Sequence, residues 1–225
     1  MMCLFLQKAH IIDRQYVKPR NYNRKQKTTN MINIVLLGPP AAGKGTQIAK
    51  ITEHYDNLIQ IGPGELMRSH VKKKTPLGEM ISDYINQGML APTEIVIGLV
   101  EEQMRANQEG TQFLLDGFPR SMAQAKPLDE LLEKYDHPLD GVIFLEVPDS
   151  IVKKRIQKRA QSSKRADDQR EDCIAKRLQV YHEETLPVIR YYEKQNKLYK
   201  VPGVGSIEDV FARIMDVVKT IHQQQ

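Results

Sequence analysis

One short segment limits the fold of this chain more than any other: the glycine-rich run at residues 38–46, which reads GPPAAGKGT. It directly follows the apolar run at residues 32–37 and opens a helical pattern that continues through Gln47 and Ile51. A strand, a glycine-rich loop and a helix in this order are typical of a phosphate-binding loop. Backbone N–H groups and the positive end of the helix form an anion cradle, so we expect Lys44 to contact the β- and γ-phosphates of a nucleotide.

The residues after Lys44 narrow the class of nucleotide-binding protein. Gly45 separates the lysine from Thr46, whereas general P-loop NTPases carry serine or threonine directly after the lysine. The GKGT variant indicates a nucleotide kinase rather than a GTPase or a motor ATPase. A small GTPase is also excluded because the chain has no NKxD motif to read a guanine base.

From residue 31 onward, short apolar runs alternate with helical patterns. The runs lie at residues 32–37, 58–61, 113–115, 142–147 and 198–201. Continuous apolar runs suit parallel strands that are covered by helices on both faces. The helical patterns include residues 94–104, 151–160, 174–192 and 207–221. We therefore predict an α/β fold with a doubly wound, five-stranded parallel sheet flanked by helices, and ligands at the carboxyl ends of the strands.

The basic character of the chain belongs to its first 30 residues. They hold seven lysines and arginines against Asp13, a net charge of +6, while the whole chain carries +5, so residues 31–225 carry about −1. The chain is therefore not expected to bind nucleic acid through its fold. We predict a disordered extension at 1–30 and one folded domain at 31–225; organelle targeting or a nucleic-acid or membrane-contacting arm are the alternatives for the extension.

Cysteine content and hydropathy indicate a reducing, aqueous compartment. Cys3 and Cys173 are the only cysteines and form no CxxC pair, so we predict free thiols and no zinc site. No segment has the length and apolarity needed to cross a bilayer. We therefore expect a cytoplasmic protein with no membrane partner.

A second phosphate-binding motif follows the third apolar run. It reads Asp116-Gly117-Phe118-Pro119-Arg120. A carboxylate at a strand end beside a phosphate loop is well placed to orient water on Mg²⁺, which makes Asp116 a candidate for indirect metal binding. An arginine can bind a phosphate with two parallel hydrogen bonds. Taken alone, the motif is also compatible with an ordinary surface loop.

Together, GKGTQ and DGFPR resemble the motifs of the adenylate kinase and nucleoside monophosphate kinase family, and the resemblance extends over residues 31–220. It implies ATP binding by the loop residues Ala41, Ala42, Gly43, Lys44, Gly45 and Thr46. It also implies that Gly117, Phe118, Pro119 and Arg120 bind the acceptor phosphate and that Gln124 reads adenine. A carboxamide can donate and accept on one base edge. Relatives specific for pyrimidines have asparagine in this segment, so Gln124 favours AMP.

The resemblance places an acceptor-binding subdomain at about residues 62–91. It implies that Arg68 is a second ligand of the acceptor phosphate, and that Met89, Leu90 and Ala91 flank the base. Pro63 departs from the family, since adenylate kinases usually have threonine there and pyrimidine kinases alanine. Proline has neither a hydroxyl nor an N–H group, so one hydrogen bond to the acceptor is lost. A smaller departure is Ala41, where a glycine is usual and where alanine restricts φ.

Several arginines lie between the fourth apolar run and the next helical pattern. Arg155 and Arg159 share one face of a helical stretch, Arg165 follows in a polar loop, and Arg177 lies on the following helix. By itself this pattern equally suits a solvated basic surface. The resemblance implies that Arg155 and Arg159 serve ATP, that Arg165 and Arg177 bridge donor and acceptor phosphates, and that Gly205 contacts the donor adenine.

The same segment predicts a short lid at about residues 160–169, because the insert of long-lid relatives is absent. The resemblance implies reversible transfer of a phosphoryl group from ATP to AMP, assisted by Mg²⁺, in a monomer. The predicted catalytic residues are Lys44, Arg120, Arg159, Arg165 and Arg177. A UMP/CMP kinase and a nucleotide-binding regulator without turnover are the alternatives, the former left open by Pro63.

Overall fold

The computed structural model describes residues 32–55, 57–107, 111–162 and 170–224. The predictions for the extension at residues 1–30, for most of the lid at 160–169 and for Arg165 lie outside these described residues.

A single five-stranded parallel sheet forms the centre of the described structure. Its strands are β1 (Ile34–Leu37), β2 (Leu58–Ile61), β3 (Gln112–Asp116), β4 (Gly141–Glu146) and β5 (Leu198–Pro202). Their spatial order is β2-β3-β1-β4-β5, and every neighbouring pair is parallel. The chain passes from β3 on one side of β1 to β4 on the other, so the ligand crevice is expected at the carboxyl end of β1.

The helices of the described residues cover both faces of this sheet. They are α1 (Lys44–His54), α2 (Pro63–Lys72), α3 (Pro76–Asn86), α4 (Thr93–Arg105), α5 (Met122–Lys134), α6 (Asp149–Ser162), α7 (Glu171–Val180), α8 (Leu186–Glu193) and α9 (Ile207–Gln223). The predicted α/β class, with a parallel five-stranded sheet flanked by helices, is confirmed. Among the described helices, none combines the length and apolarity that a membrane span needs.

Two hydrophobic cores explain why β1 is apolar at every position. Val35 and Leu37 of β1 point into the core that is shared with α4, α5 and α8. Ile34 and Leu36 point into the opposite core, shared with α1, α6 and α9. Because both faces of β1 are buried, its sequence cannot alternate between apolar and polar residues.

The predicted continuous helix at residues 174–192 is wrong in one respect. Between α7 and α8 the chain forms a π-helical turn, Tyr181–Thr185. Pro187 lies in the first turn of α8; it has no N–H for the carbonyl of Glu183, and its ring crowds that carbonyl. The chain instead closes a wider turn, in which the N–H of Leu186 donates to the carbonyl of Tyr181.

Helices α2 and α3 form a hairpin beside the carboxyl ends of the strands. Each begins with a proline at its first position, Pro63 and Pro76, where a missing N–H costs no helical hydrogen bond. Thr75 caps α3 by accepting a hydrogen bond from the N–H of Gly78 at 3.0 Å. The structure therefore gives Pro63 a local role, as the residue that starts α2.

Candidate active site

The phosphate loop connects β1 to α1. It contains two residues with left-handed α backbone. Ala41 has φ 57° and Gly43 has φ 99°. Gly43 is the N-cap of α1, and no side chain caps the helix there. The first N–H groups of α1 therefore remain available to an anion. Ala41 adopts the left-handed conformation that glycine would adopt more easily, at a cost of about 1–2 kcal/mol.

Lys44 lies at the start of α1 and folds back over the loop. Its Nζ donates to the carbonyl of Gly38 at 2.8 Å and to that of Pro39 at 3.1 Å. Burial and the nearby positive charge of Arg120 lower the pKa of Lys44 to about 7, with smaller effects of Arg177 and Arg159, while Asp116 acts in the opposite direction. The site therefore concentrates positive charge that a phosphate anion would neutralise.

Asp116 stands beside the phosphate loop because of the strand register. It pairs with Leu36 across the β1–β3 ladder, and the following N–H, of Gly117, donates to the Leu36 carbonyl at 2.9 Å. Gly117 has φ 59°. A Cβ on it would lie 3.2 Å from Cε of Lys44 and 3.3 Å from Nη2 of Arg120. Glycine therefore suits this position, because it adopts the positive φ without strain and leaves room for the lysine and the arginine.

Arg120 is fixed at both its backbone and its side chain. Its Nε donates to the carbonyl of Gly117 at 2.6 Å, and its N–H donates to Oε1 of Gln124 at 2.8 Å. A Cβ built on Gly64 would lie 3.3 Å from Nη1 of Arg68 and 3.6 Å from Nη2 of Arg120. The two guanidinium groups therefore flank one point at the start of α2.

Gln124 is 3% exposed and contributes its carboxamide to the wall of the cavity. The hydrogen bond from Arg120 fixes the orientation of this carboxamide. Oε1 keeps a second lone pair, and Nε2 carries two N–H groups. This side chain can therefore both donate a hydrogen bond to a base edge and accept one from it, as predicted.

A cavity of about 590 Å³ collects most of the predicted residues. Its walls include Ala41, Ala42, Gly43, Lys44, Gly45, Thr46, Pro63, Arg68, Met89, Leu90, Ala91, Asp116, Gly117, Phe118, Arg120, Gln124, Arg155, Arg159 and Arg177. Pro119 is buried and does not line the cavity. It joins Phe118 through a cis peptide bond.

A smaller cavity of about 230 Å³ adjoins the phosphate loop on the side of α9. Gly205 lines it together with Ala42, Thr46 and Arg155. Arg155 lines both cavities, and its guanidinium donates to the carbonyl of Ala42 at 3.0 Å and to that of Gly203 at 3.1 Å. It thus links the phosphate loop to the loop between β5 and α9.

Sequence reasoning missed a group of cavity residues on the π-helical turn and directly before it. These are Val180, Tyr181 and Thr185. The sequence pattern assigned this stretch to one continuous helix, and Tyr181 and Thr185 are buried. Pro187 was the available signal, since a proline within an apparently helical pattern marks a disturbed turn. His182, in the same turn, forms an exposed contact between its Nε2 and Oδ2 of Asp149 at 3.0 Å.

The polar groups of the cavity fit a hydrated Mg²⁺ carried by nucleotide phosphates. Asp116 is a single carboxylate at a strand end, and its Oδ2 accepts a hydrogen bond from Nε2 of Gln60 at 3.3 Å. Among the residues that the structure describes, no cluster of three or more His, Cys, Asp or Glu side chains is arranged to hold a metal ion directly. Mg²⁺ usually keeps several waters and needs only one or two protein carboxylates beside substrate phosphates.

Comparison with known proteins agrees with this geometry. Residues 36–197 match the family model described as adenylate kinase. The adenylate kinase of Flavobacterium psychrophilum is 39% identical over 191 residues, which are 85% of this chain and all of the relative. Those of Xylella fastidiosa strain M12 and Xanthomonas campestris pv. campestris strain B100 are 43% and 42% identical over 183 residues, 81% of this chain and 97% of each relative. The chain belongs to the adenylate kinase family.

Proposed function

We propose that this protein transfers a phosphoryl group reversibly from ATP to AMP, giving two ADP, and so balances the adenine nucleotide pool. One observation carries the proposal: Lys44, Arg120, Arg159 and Arg177 converge on one cavity. Burial, and after it the charges of these arginines, lowers the pKa of Lys44 to about 7. Positively charged side chains that repel one another around an open cavity are stabilised when a polyphosphate ligand binds. Family membership gives the same reaction.

The two cavities suggest which substrate each would take. We assign the smaller one, lined by Gly205, to the donor adenine, and the phosphate loop to the donor phosphates. The acceptor would occupy the larger cavity between α2 and the loop after β3, with its phosphate between Arg68 and Arg120. Gln124, Pro63, Met89, Leu90 and Ala91 would surround its base.

Phosphoryl transfer of this kind asks little covalent chemistry of the protein. The acceptor phosphate is already an anion, so no side chain needs to remove a proton. Lys44, Arg120, Arg159 and Arg177, with Arg165 from the lid, would orient the two phosphate chains and stabilise negative charge on their oxygens. Asp116 would hold Mg²⁺ through water, and Mg²⁺ bound with ATP would neutralise further phosphate charge.

Closure of the proposed acceptor subdomain, about residues 62–91, and of the short lid, about residues 160–169, would exclude water from the reacting phosphates. The extension at residues 1–30 takes no part in this scheme. We further propose that the protein acts in the cytoplasm as a monomer, and that its partners are its nucleotides rather than nucleic acid or membrane.

The direct test is ADP formation from ATP and Mg²⁺ with AMP, UMP, CMP and GMP offered separately. Strong preference for AMP is the expected result. Preference for UMP or CMP would keep the mechanism but overturn the role of Gln124, and absence of turnover with every acceptor would contradict the proposed reaction.

The same assay tests the role of individual cations. We expect Lys44→Ala and Arg120→Ala each to lower kcat by at least about a hundredfold, since each removes charge that stabilises the transition state. Lys126→Ala on α5 and Arg190→Ala on α8 are matched controls, because both side chains are exposed and line neither cavity. Near-normal turnover of either site variant would contradict its assignment.

A further inference from the structure

The backbone carbonyl of Arg120 has a buried partner on the π-helical turn. Oγ1 of Thr185 donates to this carbonyl at 2.9 Å, across 65 positions of the chain. Thr185 is 5% exposed and lines the larger cavity. Arg120 lies in the loop before α5, outside helix and strand. The Thr185 hydroxyl therefore provides this loop carbonyl with a hydrogen bond from a distant part of the chain.

Two other helical threonines use their hydroxyl groups differently, for hydrogen bonds within their own helix. Thr52 in α1 donates its hydroxyl to the carbonyl of Ile48, and Thr220 in α9 donates to that of Asp216, four positions back in both cases. Helical threonines commonly form this local bond. The equivalent carbonyl for Thr185 is that of Tyr181, which accepts the N–H of Leu186 in the π-helical turn.

The turn also joins Arg120 to a second arginine of the cavity. It follows directly on α7, which carries Arg177, and the N–H of Tyr181 donates to the carbonyl of Arg177. The Thr185 hydroxyl thus connects the loop of Arg120 to the end of the helix that carries Arg177. With Gln124 holding the N–H of Arg120, both backbone polar groups of this arginine are held by side chains.

We propose that Thr185 is a positioning residue of the phosphoryl-transfer site, which sets the distance between Arg120 and the helix of Arg177. The inference rests on the proposed function, in which Arg120 binds the acceptor phosphate. Arg120 must meet that phosphate in one geometry, and an error of about 1 Å can cost about a hundredfold in rate. The wide turn imposed by Pro187 is then part of the site rather than a defect of the helix.

The test is Thr185→Val, which keeps the shape of the side chain and removes the hydroxyl. We expect kcat/KM for AMP to fall about tenfold, since the carbonyl of Arg120 loses this hydrogen bond and Arg120 moves. KM for ATP should stay within about twofold, because Thr185 does not line the smaller cavity assigned to the donor adenine. Thr185→Ser, which keeps the hydroxyl, should restore kcat/KM for AMP to within about threefold of the wild-type value. Thr220→Val, exposed on α9, is the matched control.

A double substitution separates positioning from a general structural effect. If Thr185 acts through Arg120, adding Thr185→Val to Arg120→Ala should change kcat/KM for AMP by less than about twofold. A full tenfold loss in both backgrounds would overturn the proposal, as would equal losses toward ATP and AMP or failure of Thr185→Ser to rescue. If Thr185→Val does not fold, Thr185→Ala removes the same hydroxyl and takes its place.

Calorimetric measurement of AMP binding distinguishes failure of this inference from failure of the proposed function. Wild-type protein that binds AMP without turnover would contradict the proposed reaction, yet Thr185→Val should still weaken AMP binding about tenfold. Unchanged AMP affinity and unchanged kinetics in a folded Thr185→Val variant would overturn the positioning role. A wild-type chain that neither binds nor phosphorylates AMP would overturn both.

Discussion

At the scale of single residues, Lys44 has a protonation state that its substrate would change. Its Nζ donates to two carbonyls of its own loop, at 2.8 and 3.1 Å. Burial and neighbouring arginines lower its pKa to about 7. Above pH 7 the side chain is therefore mostly neutral in the free protein. A bound triphosphate places negative charge beside it, which raises the pKa again.

We expect ATP binding at pH 8 to be accompanied by uptake of about one proton, because Lys44 goes from mostly neutral to charged. Calorimetric titration in two buffers with different ionisation enthalpies measures this uptake directly. At pH 6, where Lys44 is already charged, the contribution should largely disappear.

Lys44→Met should abolish the uptake at pH 8, and the exposed Lys126→Ala should leave it unchanged. Full proton uptake on ATP binding to the Lys44→Met variant would show that another group takes up the proton, and would contradict its assignment to Lys44.

How well the sequence predicts single residues depends on where their partners lie. The candidates Lys44, Arg120 and Gln124 belong to short continuous motifs, so their identity and spacing were readable directly. Thr185 and Gly203 contact the site only through tertiary structure. Nothing in their local sequence shows which distant group they meet.

At the scale of elements, the strands were the most predictable part. The central strands β1, β3 and β4 are short runs buried on both faces, which leaves a local signal. β2 begins and ends at the predicted residues. The break at Tyr181–Thr185 was not predicted, although the buried positions Leu178, Tyr181, Thr185 and Val188 keep a helical spacing through it. Hydrophobic periodicity indicates which face is buried but not which carbonyl each N–H selects.

The start of α9 illustrates an element that is fixed by its cap. Ser206 and Asp209 form a capping box: the N–H of Asp209 donates to Oγ of Ser206 at 3.1 Å, and the N–H of Ser206 donates to Oδ2 of Asp209 at 3.0 Å. Arg213 holds the preceding loop through the carbonyls of Pro202 and Val204, at 2.9 and 2.7 Å. This loop carries Gly203 and Gly205, which line the smaller cavity.

We expect Ser206→Ala to lower the free energy of unfolding by about 1 kcal/mol, because α9 loses one side of its capping box. Urea denaturation measures the change. Ser82→Ala within α3 is the control, since its hydroxyl only bonds the local carbonyl of Glu79, and it should stay within about 0.5 kcal/mol of wild type. Equal stability of Ser206→Ala and wild type would show that the cap contributes nothing.

At the scale of the whole molecule, the segment of α2 and α3 comes close to α7 at Gly88. Gly88 follows α3 and has φ 71°. A Cβ on it would lie 2.8 Å from Cγ of Arg177 and 2.8 Å from the carbonyl oxygen of Cys173. The absence of a side chain therefore lets the proposed acceptor subdomain rest on the helix that carries Arg177.

We expect Gly88→Ala to lower the free energy of unfolding by about 1–3 kcal/mol, through backbone strain and overpacking. Since Arg177 must move, kcat/KM for AMP should also fall, by about tenfold or more. Gly98→Ala in α4 is the matched control, because that glycine is exposed and a Cβ there meets nothing within 4 Å. Wild-type AMP kinetics in Gly88→Ala would show that this contact does not govern the acceptor side.

The bridge made by Arg155 also bears on the order in which the site becomes available during synthesis. The smaller cavity needs Ala42 and Thr46 from one end of the fold and Gly203, Ser206 and Val210 from the other. A nascent chain therefore emerges from the ribosome with its complete phosphate loop long before that cavity exists. Full nucleotide affinity should appear only when α9 has left the exit tunnel, so nucleotide binding would report the folding of α9 rather than formation of the motif.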